Sequence, residues 1–150
     1  MKARQVMTES PQVVTPEEPL ARAAQLMESF DVGIIPVVED RVGMRLAGII
    51  TDRDMAIRHV ARAHDGRCAV RDHMTSGPLD VVRPGDDVHD VMGRMGHDKL
   101  RRMPVVDRDH RLIGVISQAD IARKVGPAEP ARVERVLEAI SQPVRVSLHA

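Results

Sequence analysis

Aromatic side chains are almost missing from this chain of 150 residues: there is no Trp, no Tyr and one phenylalanine, Phe30. Proteins that stack bases on aromatic platforms need more than that. An excess of either charge is missing too. The 22 basic and 22 acidic residues cancel, which removes the field that draws a protein to nucleic acid or to an anionic membrane. With Cys68 as the one cysteine, an intrachain disulfide is excluded. No apolar run has transmembrane length, and the opening MKARQVMTES has no signal-peptide core. The expectation is a cytoplasmic protein with no nucleic-acid and no membrane partner.

Catalytic patterns are also missing. There is no G-x-S-x-G, H-E-x-x-H or Walker A motif, and nothing identifies a base for Cys68. No enzyme activity and no catalytic residue are expected. His64, Cys68 and His73 stand in an H-x3-C-x4-H spacing, one ligand short of a zinc site, so no metal is expected either.

What the chain does have is a repeat. VMT at 6–8 returns as HMT at 73–75, VVTPEEPL at 13–20 as VVRPGDDV at 81–88, and IPVVED at 35–40 as MPVVDR at 103–108. GIITDRD at 48–54 returns as GVISQAD at 114–120, so the first copy holds two extra residues before its glycine. Apolar residues at 43% suffice for a shared core, with nine methionines filling gaps that aromatics would fill.

Each copy has one local grammar. A Val-Val pair precedes a proline and two acids, Glu17 and Glu18 or Asp86 and Asp87, placed where a helix start favours negative charge. Leu20, Ala23, Ala24 and Met27, and then Val88, Val91, Met92 and Met95, form amphipathic helical stripes. IPVV with LAGII, and MPVV with LIGVI, read as strand pairs joined by the turns EDRVGMR and DRDH. A second helix begins at each aspartate. The unit is strand, helix, strand, strand, helix, in an α+β fold. The boundaries are 1–66 for the first repeat, 67–126 for the second, and 127–150 for a C-terminal helix and tail. HDGRCAVRD is the linker, and Val133, Val136, Leu137 and Ile140 give the last helix an apolar stripe with something to cover.

The Thr51-x-x-Asp54 and Ser117-x-x-Asp120 pairs allow two readings. Each is a capping box with Asp in place of Glu. Each also follows a glycine inside a strand, Gly48 or Gly114, where close approach of a backbone or ligand is common. A hydroxyl and helix-start N–H groups suit phosphate, and a carboxylate accepts from a ribose diol.

The doubled G-h-x-[ST]-x-x-D, the h-P-V-V strand before it and the M-T opening together resemble a tandem pair of CBS domains over residues 1 to about 126. The tail ISQPV is similar to that of small stand-alone actinobacterial tandem-CBS proteins of the hypoxic-response type. The resemblance implies two repeats packed as a pseudo-two-fold pair, with two clefts for adenine nucleotides or adenosine-type ligands. It implies a regulatory energy or metabolite sensor that needs no cofactor, with AMP, ADP, ATP or an adenosine compound as ligand. It also implies a homodimer formed through second helices carrying Met55, Val60, Ile121 and Val125, and an effector protein that the sequence does not name.

Carried over residue by residue, cleft one holds Thr51, Arg53 and Asp54, facing Val81, Val82 and Arg101–Arg102 before Met103. Cleft two holds Ser117 and Asp120, facing Val13, Val14 and Val32–Gly33. Because arginine is the natural phosphate partner, cleft one is expected to be the better nucleotide site. Cleft two is expected to be empty, weaker or limited to an adenosine-like group. The alternative is a constitutive interaction scaffold that binds no nucleotide.

Overall fold

The computed structural model describes residues 1–143; the end of the predicted tail, including the last residue of ISQPV, lies outside the described residues. Short helix α1 (Ala3–Val6) and strand β1 (Thr8–Glu9) come first, followed by α2 (Leu20–Phe30), β2 (Ile34–Val38) and β3 (Leu46–Thr51). Helix α3 (Asp52–Asp54) runs directly into a π-helix (Met55–Val60), and a 3-10 turn spans Val70–Asp72. The second repeat has α4 (Val88–Asp98), β4 (Arg102–Val106), β5 (Leu112–Ser117) and α5 (Gln118–Lys124), and α6 (Pro130–Ser141) closes the described chain. The architecture is α+β, two similar units plus a C-terminal helix.

The repeat is visible in small features. β2 pairs antiparallel with β3 and β4 with β5, each with a bulge at the same place, between Val37 and Val38 and between Val105 and Val106. Both stripe helices end in a left-handed residue, Asp31 at φ 51° and Lys99 at φ 55°. The predicted first strands are reduced to single parallel bridges, Val14 to Val37 and Val82 to Val105. Of the acids before the helices, Asp87 caps α4 through His89 N–H. Glu18 and Asp86 instead accept from Thr15 and Arg83 N–H, tying the preceding turns. The bridge Arg45 to Arg111 joins equivalent positions of the two units, as a pseudo-two-fold axis requires.

Three apolar clusters form the core. One gathers the first unit around Val14, Leu26, Ile35 and Ile50; another the second unit around Val82, Met92, Met103 and Ile116. Between them Val38 and Leu46 meet Val106 and Leu112. The opening segments cross over. Ala3 and Val6 of α1 are buried in the second unit, and β1 pairs with β5. In return, Val70 is buried in the first unit and Thr75 bridges Ile49. Strand pairing, not chain order, decides where these segments belong.

The crossing explains both strand glycines. A Cβ on Gly48 would stand 2.5 Å from Thr75 carbonyl oxygen, and one on Gly114 would stand 2.7 Å from Met7 sulfur. The crossing segment itself, Met7–Thr8 or Thr75, is what approaches them, not a ligand. The α6 stripe is also covered within the chain: Val133 and Ile140 are buried in the second unit's core, with Val136 and Leu137 packed against it. Ile121 and Val125 are buried there too. The expected helical dimer face therefore loses these residues to the chain's own core, and Ile57 and Val60 are the large apolar side chains the π-helix leaves exposed.

Candidate functional site

Both Thr/Ser-x-x-Asp pairs are complete capping boxes. Thr51 hydroxyl accepts from Asp54 N–H at 3.0 Å, and Asp54 Oδ2 accepts from Thr51 N–H at 3.1 Å. Ser117 hydroxyl accepts from Asp120 N–H at 3.1 Å, and Asp120 Oδ2 accepts from Ser117 N–H at 2.9 Å. The helix-start reading holds twice over.

The two aspartates differ beyond the cap. Asp120 is buried; its Oδ2 also accepts from Ser117 hydroxyl, and its Oδ1 accepts from Thr8 hydroxyl and Arg123 Nη2, both at 3.0 Å. Four donors fill the roughly four lone-pair sites of a carboxylate. Burial pushes the carboxyl pKa up, but hydrogen bonds from Ser117, Thr8 and Arg123 outweigh it and hold the group below its ordinary value. Asp54 is less engaged. Its Oδ1 faces Arg58 Nε at 3.7 Å.

A cavity of about 570 Å³ opens beside Asp120. Thr8, Ser117, Asp120 and Arg123 form one wall; Phe30, Val32, Ile34 and Pro36 from the first repeat form the other. Arg102 lines it as well, being paired with Ser117 across the sheet. Two arginines, Arg102 and Arg123, thus line a mainly apolar space with one buried carboxylate. Such an arrangement suits a small ligand with a flat apolar part and an anionic part.

The remaining predicted residues lie as follows. Val14, Val82 and Met103 are buried in the unit cores, and Val13 and Val81 pack at the junction of the units. Gly33 and Arg101 give their carbonyls to Asp52 and Gln118 N–H, so they mark the strand-to-helix corners. Arg53 and Arg101 are exposed. Thr51, Arg53, Asp54 and Arg101 are not among the cavity's lining residues. Sequence reasoning missed Thr8, Phe30 and Arg123. Arg123 was within reach, three residues after Asp120 on one helical face. Thr8 was not, since only the crossover brings it there.

The CBS domain family model matches residues 3–58 and again 70–126, and the chain belongs to that family as a tandem pair. It is 35% identical over 119 residues to CBS domain-containing protein YhcV of Bacillus subtilis, spanning 79% of this chain and 81% of that one. To hypoxic response protein 1 of Mycobacterium tuberculosis it is 33% identical over 121 residues, or 81% and 82% of the two chains. A crystal structure of Hypoxic Response Protein I with two coordinated zinc ions superposes with a TM-score of 0.72 at 31% identity, over 83% of this chain and 98% of that one. The crystal structure of CBSX2 in complex with AMP gives a TM-score of 0.72 at 28% identity, over 85% and 98%.

Proposed function

We propose that this CBS pair is a non-catalytic regulatory module, an energy or metabolite sensor that takes an adenine nucleotide or adenosine-type ligand in the cavity at Asp120. The cavity itself carries the reading: about 570 Å³ falls inside the range of small-ligand sites, and both repeats line it. The AMP held by CBSX2, a similar CBS pair, supports the same ligand class. Phe30, the one aromatic residue, sits at this cavity half-exposed, where its ring offers a face to a base.

A ribose diol has to displace a donor from Asp120, because all four acceptor positions are in use. Arg123 is the cheaper one to move, since its side chain is 70% exposed while that of Asp120 is 3% exposed. Released, it joins Arg102 as a phosphate partner. Ligand entry then frees Arg123 from Asp120 while the Thr8 bond stays, a local change at the start of α5 that an effector protein can read. This ranks the Asp120 cleft above the Asp54 cleft, against the order drawn from the arginines in the sequence, because Arg102 lines the cavity at Ser117.

The saturated carboxylate favours the second reading, a scaffold that binds no nucleotide. Calorimetric titration of AMP, ATP and adenosine separates the two. The sensor reading expects saturable heat, lost in Ile34→Trp, which fills the cavity, and retained in Asp54→Ala. Arg102→Ala should weaken AMP and ATP more than adenosine. No heat at millimolar ligand gives the scaffold reading, and loss in Asp54→Ala alone moves the site to the other cleft. A homodimer through the exposed Ile57 and Val60 belongs to the same reading. Light scattering at twice 16.6 kDa supports it, and a monomer at all micromolar concentrations ends it.

A further inference from the structure

His59, His64, Cys68 and His73 converge beside the π-helix, their ligand atoms all within 4.8 Å of one another. His73 Nε2 lies 3.2 Å from His59 Nδ1 and 3.4 Å from His64 Nδ1, and Cys68 sulfur is 3.9 Å from His64 Nδ1. One imidazole nitrogen carries either one proton or one lone pair, so His73 Nε2 satisfies one of its two neighbours and leaves the other facing it without a proper bond. A cation at the centre satisfies all of them. Tetrahedral zinc, with Zn–N about 2.0–2.1 Å and Zn–S about 2.3 Å, places nitrogens about 3.3 Å apart and nitrogen and sulfur about 3.6 Å apart. The three short contacts lie within about 0.3 Å of these separations, and the remaining pairs, all within 4.8 Å, close further as the rings and the thiol turn onto the ion.

The repeat shows that the fold does not require this cluster. The positions equivalent to His73 and His59 in the other unit are Val6 and Val125, both buried in its core. The supporting bond is kept on each side: Lys124 donates to Val6 carbonyl, and Arg58 to His73 carbonyl. Two positions that are apolar core in the second unit thus carry imidazoles in the first, one of them, His73, buried. The segment joining the repeats adds His64 and Cys68. His59 stands on a π-helix where the other unit has the α-helix α5, and such wide turns recur at functional sites.

We infer that His59, His64, Cys68 and His73 form a closed, four-ligand site for zinc or a similar divalent transition metal. Binding releases the Cys68 thiol proton, and a full set of protein ligands makes the site structural, not hydrolytic. The metal clamps the inter-repeat segment onto the first unit, one helical turn from Asp54 and next to Arg58.

The test uses the full chain, reduced and stripped of metal, titrated with Zn(II) or Co(II) alone. One metal per chain is expected in native mass spectrometry, with a rise in thermal midpoint. Co(II) should give intense tetrahedral d–d bands and a near-ultraviolet thiolate band. Cys68→Ser should lose the thiolate band, and His64→Ala, at an exposed position, should lose tetrahedral intensity while circular dichroism stays unchanged. Failure to take up either metal overturns the site, as does uptake with a spectrum and stoichiometry unchanged in both variants.

Discussion

Thr8 donates its hydroxyl to Asp120 Oδ1 at 3.0 Å across 112 residues of sequence. The bond ties the opening segment of the first repeat to the capping box of the second and sits in the cavity wall. A hydrogen bond to a charged group contributes about 1.5–3 kcal/mol. Thr8→Val should lower stability by that order in urea unfolding. If a ribose diol takes the vacated acceptor, adenosine should bind Thr8→Val no more weakly than wild type.

Asp120 makes stability depend on acid. Its carboxyl pKa is lowered in the folded state, so its contribution is complete above the ordinary aspartate value of about 3.9 and is lost as pH falls through the folded value. Asp120→Asn should flatten the stability curve in that acid range. At neutral pH it should cost at least about 1.5–3 kcal/mol, because an amide nitrogen replaces an oxygen that accepts charge-assisted hydrogen bonds. Denaturant midpoints measured from pH 6 downward check both.

Gly114→Ala should dislodge the opening segment, because its Cβ would stand 2.7 Å from Met7 sulfur and 2.9 Å from Thr8 carbonyl oxygen. Gly48→Ala meets a backbone oxygen more closely still, at 2.5 Å from Thr75. Each should cost about 1–3 kcal/mol, the range for forced overpacking. Hydrogen exchange should show the loss at Thr8–Glu9 in one variant and around Thr75 in the other.

Helix α6 is part of the second unit's core, not an appendage. Ile140 is 4% exposed and packs in the cluster with Val91 and Met95. Ile140→Ala should cost about 2–5 kcal/mol by thermal or urea unfolding. A change below about 0.5 kcal/mol would mean that the helix is not docked in solution.

The sequence by itself determined the duplication, the order of the stripe helices and strand pairs, and both helix starts. These rest on local periods and on contacts three or four residues apart, such as Thr51 with Asp54 and Ser117 with Asp120, which a linear reading captures. It did not determine which unit each opening segment joins. Met7–Thr8 and Met74–Thr75 carry the same M-T signature, and only cross-unit strand pairing places each against the other unit's glycine. The open cleft was hidden for the same reason: Arg102 looked like a partner for Asp54 until its register with Ser117 put it beside Asp120. His59 stands five residues before His64, and only the packing of the π-helix shows that its ring meets His73. Tertiary structure decided these matters because each depends on side chains brought together by packing, and packing leaves no period in the sequence.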